Sequence, residues 1–198
     1  MTQRGVGLFE AAVWLVVLVP VCAVAVSVAA VVHDQSHISG VPAAVLRESA
    51  VAGLRWIPDG WGGRFEPNVP GLRAHVAQIA QRAVAETRQG LLKADSVSAK
   101  ACFWIFSVDS STGSLKSSIW SECDARGPLG NGLSLTEDLE FERAQARGIP
   151  NGEGGAFVER VVVTGVVVAA ETSALLDSRG SFQVSKGAIA FARQEVEL

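Results

Sequence analysis

Residues 11–32 form a run without a single charged side chain. About 20 apolar residues, each rising about 1.5 Å in an α-helix, cross the roughly 30 Å hydrocarbon core of a bilayer. The run therefore predicts one membrane-spanning helix, in which Pro20 is expected to produce a kink rather than an end. Arg4 precedes the run and Asp34 follows it, which predicts a cytoplasmic N-terminus and an extracytoplasmic remainder.

Glu10 stands directly before this run. A carboxylate within the hydrocarbon costs on the order of 3 kcal/mol, and one placed close to it tends to mark a function or a partner charge. Cleavage after Gly5 would make Val6 the first residue and place its ammonium one helical turn before Glu10. These two charges are complementary, either within one chain or between chains packed side by side.

The segment from Arg4 to Ala12, RGVGLFEAA, resembles the class III signal of type IV pilin-like proteins. It looks most like the tight-adherence (Tad) branch, with its TadE/TadF-like minor pseudopilins. The resemblance implies cleavage by a prepilin peptidase after Gly5 and assembly with other pilin or pseudopilin subunits, through the N-terminal helix, into a Tad-type pilus or a related secretion machine. Glu10 would then neutralise the amine of Val6. The implied organisation is a leader (residues 1–5), a transmembrane and assembly helix (6–38) and an extracytoplasmic domain (39–198).

Two other interpretations of the N-terminus remain open. One is a secretory signal peptide with Arg4 as its charged region and small residues near Ala25 or Ala30 for cleavage. The other is an uncleaved single-span anchor. The uncharged run is longer than the roughly 7–15 apolar residues of a signal peptide, which favours a retained helix.

Composition limits the rest of the chain to one domain of modest size. The protein has 198 residues, a net charge of -3 and 48% hydrophobic residues, so one core fits once the helix is set aside. Basic residues are scattered rather than gathered into a stripe, which argues against nucleic acid as a partner. The membrane is the partner that the composition favours.

No set of residues predicts catalysis. His33 and His37 are four residues apart and could share a helix face with Asp34, but no further metal ligand is near them in sequence, and the histidines are expected to be exposed at the membrane edge. Serines are frequent in residues 107–121, yet none has the flanking glycines of a nucleophile elbow. We expect a protein that is not an enzyme and has neither a metal nor a cofactor.

The segment after the membrane run is punctuated by Gly40 and Pro42. This predicts a helix break at residues 39–42, a short helix over 43–54 and a loop over 55–71 that is rich in glycine, proline and aromatic residues. Trp56, Trp61 and Phe65 in this loop form a candidate binding surface, although such rings more often pin a loop to the core. The alternative function is therefore a membrane-anchored extracytoplasmic binding domain.

A helix over residues 72–93 and two strands over 101–109 and 114–123 follow from the change in apolar period. If residues 112 and 113 form the turn, the strand partners have numbers that sum to 225. The expected pairs are Asp109 with Lys116, Phe106 with Ile119, Ile105 with Trp120, and Cys102 with Cys123. The last pair predicts a cross-strand disulfide, which is appropriate to an oxidising compartment.

The C-terminal third predicts strands over residues 157–170 and 182–191, with a turn at 177–180. Residues 161–170 are too few to cross a membrane and predict a buried strand instead. Residues 134–147 fit either a short acidic helix or an extended insertion. The expected fold class is α+β, with a long N-terminal transmembrane helix followed by a pilin-like domain in which a helix packs on an antiparallel sheet.

Overall fold

The computed structural model describes residues 3–49, 54–59, 62–92, 96–128, 135–150, 155–173 and 181–192. It contains a long apolar N-terminal helix and an antiparallel sheet with helices, which confirms the α+β class. The elements are α1 (Gln3–Ser49), β1 (Leu54–Asp59), β2 (Gly62–Pro67), α2 (Val69–Gly90), β3 (Ser96–Val108), β4 (Leu115–Arg126), α3 (Leu135–Gln145), β5 (Arg160–Ser173) and β6 (Ser181–Ala192).

Helix α1 is continuous through both Pro20 and Pro42. The predicted break at residues 39–42 is therefore wrong, and the predicted domain boundary at residue 39 falls inside the helix. Ile38, Val41 and Val45 are buried in the core on either side of Pro42. Burial of each such side chain contributes roughly 1.5–3 kcal/mol, which together exceeds the roughly 3 kcal/mol cost of a proline inside a helix.

Residues 55–71 contain a β-hairpin and the start of α2 where a loop was predicted. Strands β1 and β2 pair antiparallel, with Leu54 opposite Pro67 and Asp59 opposite Gly62. The predicted separate helix over 43–54 is also wrong, because residues 43–49 belong to α1 and Leu54 begins β1. Both strands are edges of a two-stranded sheet, where a proline such as Pro58 removes no obligatory ladder bond.

Helix α2 confirms the predicted helix over 72–93, but it begins and ends three residues earlier, at Val69 and Gly90. Asn68 caps it, because its side-chain oxygen accepts a hydrogen bond from the Gly71 backbone N–H at 3.2 Å. Pro70 lies in the first turn, where a missing N–H costs nothing. The predicted apolar face is buried: Leu72, Val76, Ile79, Ala80 and Ala83.

The main sheet has four antiparallel strands in the order β4-β3-β5-β6. Helices α1 and α2 pack on one face, and α3 packs on the other. Strand β3 contributes side chains to the core on both faces of the sheet. Phe103 and Ile105 point towards α1 and α2, whereas Trp104 and Phe106 point towards α3. The helix-on-sheet packing predicted from sequence is thus present, with a second helical layer on the opposite face.

The predicted register of β3 and β4 is confirmed at one end and wrong at the other. Cys102 pairs with Cys123 and Ile105 with Trp120, but Phe106 pairs with Ser118 instead of Ile119. Two register shifts leave Ile119 and Lys116 without a backbone partner on β3. The predicted backbone pairing of Asp109 with Lys116 is also wrong.

The cause of these shifts is the turn. Its closing residue is Asp109, whose backbone N–H donates to the Ser114 carbonyl at 2.9 Å, and residues 110–113 form the loop. Gly113 has a φ of 69°, which favours glycine, whereas Thr112 does not adopt the positive φ that a two-residue turn requires. The Asp109 side chain accepts hydrogen bonds from Ser111 and Thr112 and fixes this longer loop.

The C-terminal elements match the sequence patterns. Residues 135–145 form α3, so the choice left open for 134–147 resolves to a helix. Strands β5 and β6 confirm the two predicted strands, and residues 161–170 are buried throughout. The turn predicted at 177–180 lies outside the described residues.

Candidate functional site

The N-terminal part of α1 exposes apolar side chains on all sides. Trp14 is 67% exposed and Val16 is 75% exposed. Exposed large apolar residues of this segment are Val13, Trp14, Leu15, Val16, Val17, Leu18, Val19, Val21, Val24, Val26, Val28 and Val32. Among the described residues, α1 is the one helix that is long and apolar enough to cross a membrane.

The predicted processing and charge-pair residues lie at the start of this surface. Gly5 and Val6 belong to α1, and Glu10 is exposed one turn beyond Val6. Offset by four residues, positions 6 and 10 lie on the same side of the helix. Removing residues 1–5 would therefore leave an ammonium and a carboxylate on neighbouring turns at the end of the apolar surface.

A buried stripe begins before the uncharged run ends. Ser27, Asp34, Ile38, Val41 and Val45 are all buried, and they recur at the helical spacing of three, four or seven residues. The stripe faces the domain, where α1 lies against α2, β5 and β6. One helix therefore provides both the apolar surface and part of the domain core.

The junction between α1 and α2 is polar and specific. The Asp34 carboxylate, 1% exposed, accepts a hydrogen bond from the Leu92 backbone N–H at 2.9 Å. The rings of His33 and His37 donate through Nε2 to the carbonyls of Gly90 and Glu86, each at 3.3 Å, because a carbonyl only accepts. The contact with Gly90 satisfies a carbonyl that the end of α2 leaves unpaired, and the contact with Glu86 adds a second hydrogen bond one turn earlier.

Asp34 is the junction residue that the sequence patterns did not single out. His33 is exposed as expected, whereas His37 is half-buried over Gly90, where an added Cβ would overlap its ring. The spacing of Asp34, four residues before Ile38 and seven before Val41, could have predicted its place on the buried face of α1. The predicted helix break at residues 39–42 concealed this periodicity.

The predicted disulfide between Cys102 and Cys123 is present. The two Cα atoms are 4.1 Å apart, a close cross-strand approach. Cys102 is buried beneath α3, whereas Cys123 is exposed on the edge strand β4. Cys22, in the apolar part of α1, is an exposed free thiol.

The candidate binding loop has a different backbone from the one expected. Trp56 and Phe65 are directly opposite partners in the β1–β2 hairpin. Trp61 lies outside the described residues. The hairpin thus brings two of the three aromatic positions to one level of a small sheet.

A shallow cleft of about 380 Å³ lies beside the β3–β4 turn, with Ser110, Lys116 and Arg160 in its lining. The Lys116 ammonium is 3.2 Å from the Asp109 carboxylate. Hydrogen bonds from the Ser111 hydroxyl and backbone N–H, followed by Lys116, hold the pKa of Asp109 well below its usual range. These groups satisfy one another and stabilise the turn.

Within the described ranges, no three His, Cys, Asp or Glu side chains are placed to hold a metal ion. No protein-family model, curated protein or solved structure matches the chain.

Proposed function

We propose that the protein is a structural, single-pass membrane subunit of a pilin-like assembly of the Tad type. In this proposal a prepilin peptidase cleaves after Gly5, the N-terminus faces the cytoplasm and the domain lies outside. The observation that supports it most is the division of α1. Its N-terminal part exposes apolar residues all round, and its C-terminal part is built into the core.

The exposed part of α1 needs an apolar environment. A contiguous apolar surface of this length is unusual on a protein in water and indicates a membrane or a protein interface. Lipid can cover it before assembly, and equivalent helices of neighbouring subunits can cover it afterwards, because van der Waals packing between helices replaces lipid contacts. The disulfide, which persists in oxidising compartments, supports an extracytoplasmic domain.

Glu10 provides the specificity of assembly in this proposal. The carboxylate is exposed at the edge of the apolar surface, where burial without a partner would be costly. The amine of Val6, on the same or a neighbouring subunit, would neutralise it and lower the cost of burying either charge.

The N-terminal sequence of the protein recovered from its native membrane tests the processing. A chain that begins at Val6 supports the proposal. An intact Met1 would indicate a plain anchored domain, and a chain that begins after Ala25 or Ala30 would indicate a released protein; either result contradicts the proposal.

Replacing Glu10 with valine tests the charge pair. We expect Glu10→Val to insert into the membrane normally, because the helix becomes more apolar, but to be lost from the assembled fraction. Glu142→Val, which removes an exposed carboxylate from α3, is the control and should assemble normally. Membrane fractionation and recovery of the sheared assembly measure the two steps, and normal assembly of Glu10→Val would refute the charge pair.

A further inference from the structure

We propose that the end of the domain at which α2 stops lies in the headgroup layer of the bilayer that α1 spans, with Leu92 as its apolar lipid contact. This inference rests on the membrane anchoring in the proposed function and is independent of assembly. It adds a second contact between the domain and the membrane, apart from the spanning helix.

The position of α1 across the bilayer is narrowly defined. The uncharged run of residues 11–32 is about 33 Å long at about 1.5 Å per residue, close to the roughly 30 Å of hydrocarbon. Glu10 marks one end of the run and Asp34 lies just beyond the other. Sliding the helix in either direction would move a carboxylate towards hydrocarbon, which is unfavourable.

Helix α2 ends at the level of this second boundary. Asp34 accepts a hydrogen bond from the Leu92 N–H at 2.9 Å, and His33 donates to the Gly90 carbonyl. Asp34 is two residues beyond Val32, or about 3 Å along the helix, whereas the headgroup layer is roughly 5–7 Å thick on each side. The hydrogen bonds therefore hold Leu92 within that layer.

The exposure of Leu92 fits this location. Its side chain is 66% exposed, although the preceding Leu91 packs against the core. The buried stripe of α1 reaches back to Ser27, whose hydroxyl donates to the Ala23 carbonyl of the same helix, and from Asp34 onward it lies in the domain. The domain is thus seated against the bilayer, and an exposed leucine there exchanges water for lipid, which is favourable.

The test uses the full-length protein in vesicles of phosphatidylcholine and phosphatidylglycerol. In a Cys22→Ser background with the disulfide intact, single cysteines replace Leu92, Val24 or Ile119 and carry a bimane fluorophore. Val24 lies inside the span, and Ile119 is an exposed apolar residue on β4. Strand β3 begins at Ser96, shortly after the end of α2, and extends 13 residues to the β3–β4 turn, so Ile119, near that turn, is expected to lie away from the bilayer. Nitroxide lipids labelled at the headgroup or in mid-chain serve as quenchers.

We expect mid-chain quenching at position 24, headgroup quenching with a blue-shifted emission at position 92, and neither at position 119. If position 24 is quenched but position 92 is no more quenched than position 119, the domain does not contact the membrane. That result would overturn the inference and leave the anchor intact. Absence of quenching at position 24 would overturn the anchor, and the inference with it.

Discussion

Cys102 and Cys123 join the central part of the sheet to its exposed edge strand. Their disulfide closes a loop with a sequence separation of 21, which restricts the unfolded chain and contributes on the order of 3 kcal/mol. We expect the double variant Cys102→Ala/Cys123→Ala, in a Cys22→Ser background, to lose about this free energy of unfolding. Urea denaturation measures it. The Cys22→Ser parent is the control, and an unchanged midpoint would contradict a stabilising role.

Asp109 gives the turn a pH dependence whose sign follows from its lowered pKa. The ionised carboxylate binds its partners more strongly than the neutral acid does, so this stabilisation is complete above the unfolded pKa near 4 and is lost as the pH falls towards the lower native pKa. We expect Asp109→Asn to be less stable than the parent at pH 7, with a difference that narrows at pH 3. Thermal unfolding of the variant and the parent at pH 7 and at pH 3 measures this difference in stability. Glu142→Gln should show no such narrowing, and a constant difference for Asp109→Asn would refute the linkage.

Individual residues were predictable where one local rule acted alone. Cys102 and Cys123 lay opposite each other in the simplest hairpin register, and that end of the hairpin carries no bulge. The backbone register that suggested a pair of Asp109 and Lys116 is wrong. The two residues nevertheless form an ion pair, because the long Lys116 side chain reaches across the bulge. Asp34 was missed because its partner, Leu92 N–H, is distant in sequence.

Among the elements, α1 shows how tertiary packing overrides local signals. Gly40 and Pro42 are ordinary helix breakers, yet α1 continues because Ile38, Val41 and Val45 require one helical face to reach the core. The β1–β2 hairpin was concealed in the same way by Gly and Pro in its strands, which normally indicate a loop. By contrast, α2, β3 and β5 were predictable because their apolar periods match their packing.

Two glycine-to-alanine variants separate helix propensity from close packing. Nothing lies within 4 Å of a Cβ added at Gly40, so Gly40→Ala should stabilise the protein by about 0.5–1 kcal/mol. A Cβ at Gly165 would lie 2.8 Å from Leu139 Cδ2 and 3.0 Å from Trp104, so Gly165→Ala should destabilise it by about 1–3 kcal/mol. Chemical denaturation measures both, and equal effects would contradict the packing of α3 on β5.

At the scale of the whole molecule, the domain includes the last part of α1. A chain that begins at residue 33 keeps Asp34 and Ile38, whereas one that begins at residue 39 loses both. We expect the shorter chain to be less stable by about 3–5 kcal/mol, from the lost burial of Ile38 and the lost hydrogen bond to Leu92. Urea denaturation of the two chains measures the difference. Equal stabilities would show that the domain begins after residue 38.

Because α1 is continuous, a tilt of its N-terminal part moves the domain at its other end. Residues 33–49 extend roughly 25 Å beyond the uncharged run, so a tilt of about 20° within the bilayer moves the far end of the helix sideways by about 9 Å. Because Ile38 and Val45 fix that end in the core, the sheet must follow the tilt. In the proposed assembly, the tilt of each helix would therefore set the spacing between neighbouring domains.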